Sequence, residues 1–308
     1  MRNLIIDCDP GQDDATAILL ALAYPEELNV QVVTTVCGNN TLANVTENAR
    51  YILDVAGKKT LLAAGAERPL VGEPIISHEF HGKTGMDGHT GLSPASYPVE
   101  RRHAVDVMRE LILAQEKTTL AALGPLTNLA LLFSIYPEVK ERVELITLMG
   151  GGLANGNITP YAEFNIYVDP EAAAIVFRTG VPIVMSGLDV TQKALLYPEQ
   201  FRRMKQSSRV VKFFRELMEF YGAKAEKFGA AGCMMHDPCA IAWLLWPELF
   251  QSFQTGIEIE LVGETRGRTV ARSTGDKNVL VLTEVNAPVM MERLLAAISR
   301  LDRSIGNN

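Results

Sequence analysis

Leu4-Ile5-Ile6-Asp7-Cys8-Asp9-Pro10-Gly11-Gln12-Asp13-Asp14 is the stretch on which the fold turns. An apolar run of strand type feeds a Pro-Gly turn, and an amphipathic helical pattern starts at once, from Ala15 to Ala23. Asp9 falls where the strand ends, and Asp13 and Asp14 fall in the first helical turn. The helix dipole favours carboxylates there. Packed this closely, however, the aspartates repel one another, and something positive should hold them together. A hard cation with oxygen ligands meets that need, and Ca²⁺ accepts such a cluster better than Mg²⁺. A solvated acidic helix start with Asp as cap is the plainer alternative. It leaves unexplained why the run sits at the carboxyl end of a first strand, where α/β sheets place their ligands.

Outward from this unit, strand-like runs alternate with helical patterns. Val30 to Val36 reads as a strand and Leu42 to Val55 as a helix. His103 to Gln115 is helical, Thr119 to Leu123 a strand, Leu126 to Phe133 helical and Val143 to Met149 a strand. Pro170 to Arg178 is a helix and Pro182 to Ser186 a strand. Such βαβ alternation with buried apolar strands predicts an α/β fold: a mostly parallel central sheet with helices on both faces. After about Pro198 long helical stretches dominate (Val210 to Lys227, Pro238 to Leu245, Pro288 to Leu301), with strand candidates at Gly256 to Val262 and Val279 to Val285. No linker, repeat or low-complexity segment interrupts the chain. The expectation is one large domain over residues 1–308 with a helical C-terminal part, its site at the carboxyl ends of the strands. Ile75 to Ser96, rich in Gly, His, Ser and Thr, is expected to be a long loop over the sheet edge, and such loops are often lids.

Composition narrows the function classes. The 308 residues are 47% apolar, ample for a core, and carry a formal charge of −7. With a pI near 5.4, nucleic acid and anionic membranes are not expected as partners. The four cysteines lie singly with no CxxC pair, which argues against zinc and fits reduced thiols in a cytoplasmic protein. With acidic residues from position 7, no secretory leader is expected, and no apolar run approaches a membrane span.

Polar motifs recur at the expected strand ends: Cys37-Gly38-Asn39-Asn40-Thr41, Leu123-Gly124-Pro125-Leu126-Thr127-Asn128, Met149-Gly150-Gly151-Gly152 and Gly187-Leu188-Asp189-Val190-Thr191. In a parallel sheet these turns converge on one side. Asn39 offers an amide that orients water or a hydroxyl, though Asn also simply forms turns. The Leu123 carbonyl is of the type that ligates Ca²⁺. Asn157, Glu163 and Asn165 precede Asp169-Pro170, where Asp169 reads as a helix cap. Glu163 and Asn165, two apart, are expected to share one side of an extended segment and to bind a polyol. His236-Asp237-Pro238 opens a helix, with His236 a candidate general acid. Asp9, Asp14, Asp237 and the Leu123 carbonyl together make a candidate cation site. With open positions, such a cation binds a vicinal diol and a water.

At these motifs, with His81-Gly82-Lys83-Thr84-Gly85, Ala162-Glu163-Phe164-Asn165 and Asp169-Pro170-Glu171-Ala172-Ala173, the chain resembles the inosine-uridine preferring nucleoside hydrolase family. The resemblance implies Ca²⁺-dependent hydrolysis of ribonucleosides to ribose and base, in nucleoside salvage. It implies Asp9, Asp14, Asp237 and the Leu123 carbonyl as ligands, and Asp9 also as the base that deprotonates the attacking water. It implies Asp13, Asn39, Asn157, Glu163, Asn165 and Asp237 on the ribose hydroxyls, His236 beside the base as its proton donor, and His81 in a mobile loop closing over the substrate. Broad or pyrimidine-leaning use is expected, with the base pocket drawn from Tyr221 to Phe228 and the lid. A homodimer or homotetramer is expected from relatives. Gln12, Lys83 and Thr84 depart from the motifs at positions expected to vary. Two other readings stay open: a haloacid dehalogenase-like phosphatase using Asp7 as nucleophile and Asp9 as acid/base, and a catalytically silent nucleoside or sugar binder.

Overall fold

A computed structural model describes residues 1–89, 97–205 and 208–305. The chain runs β1 (Arg2–Cys8), α1 (Gln12–Leu22), β2 (Leu28–Thr35), α2 (Leu42–Ala56), β3 (Leu61–Ala64), α3 (His78–His81), α4 (Ala104–Leu113), β4 (Thr118–Ala122) and α5 (Thr127–Ile135). It continues through β5 (Val143–Met149), α6 (Phe164–Val168), α7 (Pro170–Phe177), β6 (Ile183–Ser186), α8 (Leu188–Thr191), β7 (Leu195–Leu196), α9 (Pro198–Arg202) and α10 (Arg209–Lys227). β8 (Cys233–Met234), α11 (His236–Leu245), β9 (Phe250–Ile259), β10 (Thr269–Arg272), β11 (Val279–Val285) and α12 (Ala287–Ile305) complete it.

Nine strands form one sheet in the order β10-β9-β11-β6-β5-β4-β1-β2-β3. The run from β11 to β3 is parallel, and β9 joins antiparallel to both β11 and β10. β7 and β8 make a separate small ribbon. Side chains alternate across the central strands. Leu4, Ile6 and Cys8 of β1 join a core with α1, α2, α10, α11 and α12, while Ile5 joins the opposite core with α4, α5 and α7. Burial on both faces is why these strands read as continuous apolar runs. Local rules set the helix ends: Thr41 caps α2 by accepting from Asn44 N, and Gly57 ends it at φ 60.

In the order β3-β2-β1-β4-β5-β6 successive strands are added outward in opposite directions from β1 and β4, which makes their junction the switch point where doubly wound sheets bind ligands. In the C-terminal part the strand expected at Val279 to Val285 is β11 and the one expected at Gly256 to Val262 is the second half of β9, whereas the first half of β9 and all of β10 were not expected; all three join the sheet, so this part is less helical than expected. The outer half of β9 is exposed and carries Gln and Ser, so its apolar alternation is weak. β3 was likewise not expected, being four residues with Leu61 exposed. Of the expected loop Ile75 to Ser96, residues 90–96 lie outside the described residues, and α3 occupies part of the rest. Among the described residues, no helix is long and apolar enough to cross a membrane.

One buried amide locks the switch point. Asn128 donates to Asp7 Oδ1 (2.8 Å) and the Thr35 carbonyl (3.0 Å), and its Oδ1 accepts from Ala66 N (2.8 Å). It thereby joins α5, β1, β2 and the chain after β3. Asn128→Ala strands the buried Ala66 N–H and leaves Asp7 Oδ1 with Thr34 Oγ1 alone, so stability should fall by about 2–3 kcal/mol. Urea unfolding checks this: the midpoint drops with unchanged slope, and an unmoved midpoint contradicts the assignment.

Candidate active site

Leu123 N donates to Asp7 O (2.7 Å), so Asp9 and Leu123 leave neighbouring strand ends side by side. The Asp9 carboxylate is clamped. Its Oδ2 accepts from Asn39 N (2.6 Å), and Gly38 and Gly124 press on it. A Cβ on Gly38 would lie 2.1 Å from Oδ2 and one on Gly124 2.4 Å from Oδ1, so only glycine fits either position. Asp14 accepts from Gly11 N (2.9 Å), Asn39 Nδ2 (3.2 Å) and Asp9 N (3.3 Å). These donors are neutral.

Asp13, Asp14 and Asp237 each bring a carboxylate oxygen to within 4.8 Å of the others. Asp13 and Asp14 lie in the first turn of α1 and Asp237 in that of α11, so two helix N-termini with their positive partial charges meet here. Asp9 Oδ1 and Asp13 Oδ1 are buried without a partner. Burial, then mutual repulsion, pushes Asp9, Asp13 and Asp237 well above the usual carboxylate range; burial does the same to Asp14. Orphaned carboxylate oxygens in an all-oxygen donor set fit a hard cation. The tight trio includes Asp13, expected only on substrate hydroxyls, whereas Asp9 stands beside it.

Asn165 Nδ2 donates to the Leu123 carbonyl (2.8 Å) and the Met149 carbonyl (3.1 Å), tying the ends of β4 and β5 together. Glu163 and Asn165 do not lie on an extended segment. Glu163 is the N-cap of α6, its Oε1 accepting from Asn165 N (3.0 Å) and its Oε2 from Gly151 N (2.9 Å) and Ile166 N (3.2 Å). The capping geometry wins because a carboxylate satisfies the orphan N–H groups of a helix start. Burial pushes Glu163 up to about 7 against those N–H groups. Asn157 Oδ1 accepts from Phe164 N (2.9 Å). Asp169 caps α7 as expected, through Ala172 N, and also holds Leu70 N and Thr127 Oγ1.

A cavity of about 280 Å³ opens over these groups. Asp13, Asn39, His81, Leu123, Asn157, Glu163, Asn165, His236 and Asp237 all line it; Asp9 and Asp14 lie behind that lining. His81 Nδ1 meets Gln12 Oε1 and His236 Nδ1 meets Thr191 Oγ1, both at 2.8 Å. Burial pushes both imidazoles down to about 4, with His236 adding to the effect on His81, so both are neutral at pH 7. Tyr221, Ala225 and Phe228 of the expected segment form one wall. Phe80 stacks on Phe228 (5.3 Å between centroids) and His81 on Tyr221 (6.4 Å). Phe80 and Gln192 also line the cavity without having been singled out from sequence, since they belong to no motif, and Leu188 does so from the motif after β6, where its polar neighbours drew the reading. Phe164 sat inside a motif but was passed over for its polar neighbours. Asp7, which a phosphatase would use as nucleophile, is instead a buried partner of Thr34 Oγ1 (2.6 Å) and Asn128.

The clamp on Asp9 is testable on the folded protein. Gly124→Ala should turn the Asp9 carboxylate away from Asn39 N and cost about 1–3 kcal/mol through overpacking. A crystal structure with Asp9 undisturbed contradicts this.

Comparison with known proteins accords with this geometry. Residues 4–292 match the model of the family described as inosine-uridine preferring nucleoside hydrolase. The pyrimidine-specific ribonucleoside hydrolase RihA of Photobacterium profundum is 44% identical over 297 residues, 94% of each chain. RihA of Escherichia coli is 42% identical over 295 residues, covering 94% of this chain and 93% of that one. Among solved structures, the purine-preferring ribonucleoside hydrolase from Gardnerella vaginalis superposes with a TM-score of 0.91 at 31% identity, over 97% of this chain and 99% of that one. A plant nucleoside hydrolase, PpNRh1, does so with a TM-score of 0.89 at 30% identity, over 98% and 99%. The chain belongs to the inosine-uridine preferring nucleoside hydrolase family.

Proposed function

We propose that this protein hydrolyses the N-glycosidic bond of ribonucleosides to ribose and free base, with pyrimidine nucleosides preferred. The observation that carries the proposal is the convergence of Asp9, Asp13, Asp14 and Asp237, with two orphaned carboxylate oxygens, at the switch point of a chain that matches the family over residues 4–292. Asp9, Asp14, Asp237 and the Leu123 carbonyl are the proposed Ca²⁺ ligands, and the close approach of Asp13 to Asp14 and Asp237 supports adding it to that shell. When bound, Ca²⁺ supplies the charge that gathers vicinal hydroxyls and the attacking water.

Water attacks the anomeric carbon as the C–N bond breaks and its electron pair leaves with the base. Asp9 is the proposed base that takes the proton from that water. Its clamped carboxylate has a free oxygen and a raised proton affinity, both of which suit the role. Asp13, Asn39, Asn157, Glu163, Asn165 and Asp237 hold the ribose hydroxyls. A ring of carboxylates also favours the positive, oxocarbenium-like sugar of the transition state. His236 is held neutral before substrate arrives. As negative charge gathers on the departing base, the proton affinity of the imidazole beside it rises; His236 takes a proton from solvent, and the imidazolium so formed passes its proton to the nitrogen of the leaving base. His81 binds substrate from α3.

Base preference rests on the relatives: those at 42–44% identity bear the name pyrimidine-specific, while the purine-preferring structure lies at 31%. The four free, buried cysteines support a reducing, cytoplasmic address.

Purified protein incubated with uridine, cytidine, inosine, adenosine and 2′-deoxyuridine, with reducing sugar followed, tests the proposal. Uridine and cytidine should exceed the purine nucleosides about tenfold or more in kcat/KM, a difference of roughly 1.4 kcal/mol. The 2′-deoxy analogue should be poor. Asp9→Ala should lose at least about 4 kcal/mol of catalysis, roughly a thousandfold, with its fold intact. Ribose release from none of the nucleosides overturns the proposal.

A further inference from the structure

Gln12 is fully buried at the first position of α1 and has no place in the mechanism above. Its side chain makes three hydrogen bonds. Nε2 donates to the Asp87 carbonyl (3.0 Å) and to the His81 carbonyl (3.4 Å), and Oε1 meets His81 Nδ1 (2.8 Å). Carbonyl oxygens only accept, so the two of them fix which end of the amide faces which way. Oε1 is thereby turned on the imidazole and itself only accepts. The Nδ1 of His81 must carry the proton.

A neutral imidazole has one N–H and one bare nitrogen. With Nδ1 protonated, Nε2 is bare. It has no protein partner among the described residues, and His81 lines the cavity. We propose that Gln12 is a positioning residue that fixes the His81 tautomer, so that Nε2 accepts a hydrogen bond from a donor on the nucleoside. Burial of His81, which disfavours the imidazolium, agrees with this.

The same amide sets where the ring stands. Asp87, whose carbonyl it holds, folds its own carboxylate back onto Lys83 N and Thr84 N, both at 3.0 Å. Gly82 permits that turn, with φ +86 and no room for a Cβ beside Asp87 Oδ2. Asn40 Nδ2 and Asn48 Nδ2 hold the Lys83 and Thr84 carbonyls from the α2 side. Among the described residues, Gln12 is the α1 side chain that hydrogen-bonds the segment bearing His81.

Two donors on a pyrimidine nucleoside are available once the 2′ and 3′ hydroxyls are engaged elsewhere: the 5′-hydroxyl and the N–H of the base edge. This step rests on the proposed nucleoside hydrolysis, but the first measurement does not. Nitrogen-15 NMR of the wild-type protein, with His81 assigned by comparison with His81→Gln, reads the tautomer directly. A protonated Nδ1 with a bare Nε2 is expected, and the opposite tautomer overturns the proposal whether or not any nucleoside is cleaved.

The second measurement uses Gln12→Met, which keeps the bulk of the side chain and removes both its donor and its acceptor. KM for uridine should rise at least tenfold, with kcat changed less. The comparison then runs over 5′-deoxyuridine and 3-methyluridine. Whichever lacks the donor read by His81 should already bear the penalty with wild-type enzyme and gain none from Gln12→Met, while the other behaves as uridine does. An equal loss on all three substrates marks a purely structural role and overturns the proposal. If Gln12→Met does not fold, the wild-type tautomer decides. No hydrolysis by the wild type would instead overturn the function on which the second measurement depends.

Discussion

Mutual repulsion of buried carboxylates is the constraint on which this architecture depends. Two unit charges 4.8 Å apart repel by about 3.5 kcal/mol at an effective dielectric of about 20. Asp13, Asp14 and Asp237 make three such pairs, and Asp9 stands against them. The fold offsets part of this with the N-termini of α1 and α11 and with neutral donors from Gly11, Asp9 and Asn39. Those devices leave Asp9 Oδ1 and Asp13 Oδ1 unmatched. Protons or a cation must supply the rest, and the raised proton affinity of the cluster is the measure of that demand.

Around this point, much of the neighbouring structure keeps the carboxylates in place. The strand order brings the ends of β1 and β4 together, and Asn128 locks Asp7, β2 and the chain after β3 to α5. Gly38 and Gly124, by lacking a Cβ, leave the space that the Asp9 carboxylate occupies. Asn165 bridges the ends of β4 and β5, while Glu163 holds the start of α6 and Gly151 N and keeps acceptor capacity on Oε1. The residues facing the cavity are therefore also residues that hold strand ends and helix starts, so changes there will tend to alter stability and turnover together.

The first βαβ unit was legible because its signals agree: an apolar strand, a Pro-Gly turn and helical spacing. The strand-end motifs converged as the parallel sheet requires, and Asp13, Asn39, Leu123, Asn157, Glu163, Asn165, His236 and Asp237 reach one cavity. Tyr221 and Phe228, expected near the base through the family resemblance rather than from the pattern of the helix, line its wall. What stayed hidden has physical causes. The first half of β9, before the strand expected from Gly256, is exposed and polar, and β3 is four residues long, so neither shows a clear period. Glu163 was read as part of an extended segment because its capping role depends on where α6 starts. Phe80 lies in α3, a helix of four residues that is too short to show a period. Gln12 looked like a variable position because its role is carried by an amide's orientation, which only the spatial partners reveal.

Calcium binding tests the account most directly, because it addresses the force that assembles the site rather than the turnover it supports. Chelator-treated protein titrated with Ca²⁺ by calorimetry should bind a single ion per chain and melt at higher temperature once loaded, as a ligand specific to the native state requires. Asp237→Asn should weaken that binding sharply. Absence of binding heat and of any shift in melting temperature, in a folded protein, would mean that protons alone balance the carboxylates, and would contradict the account.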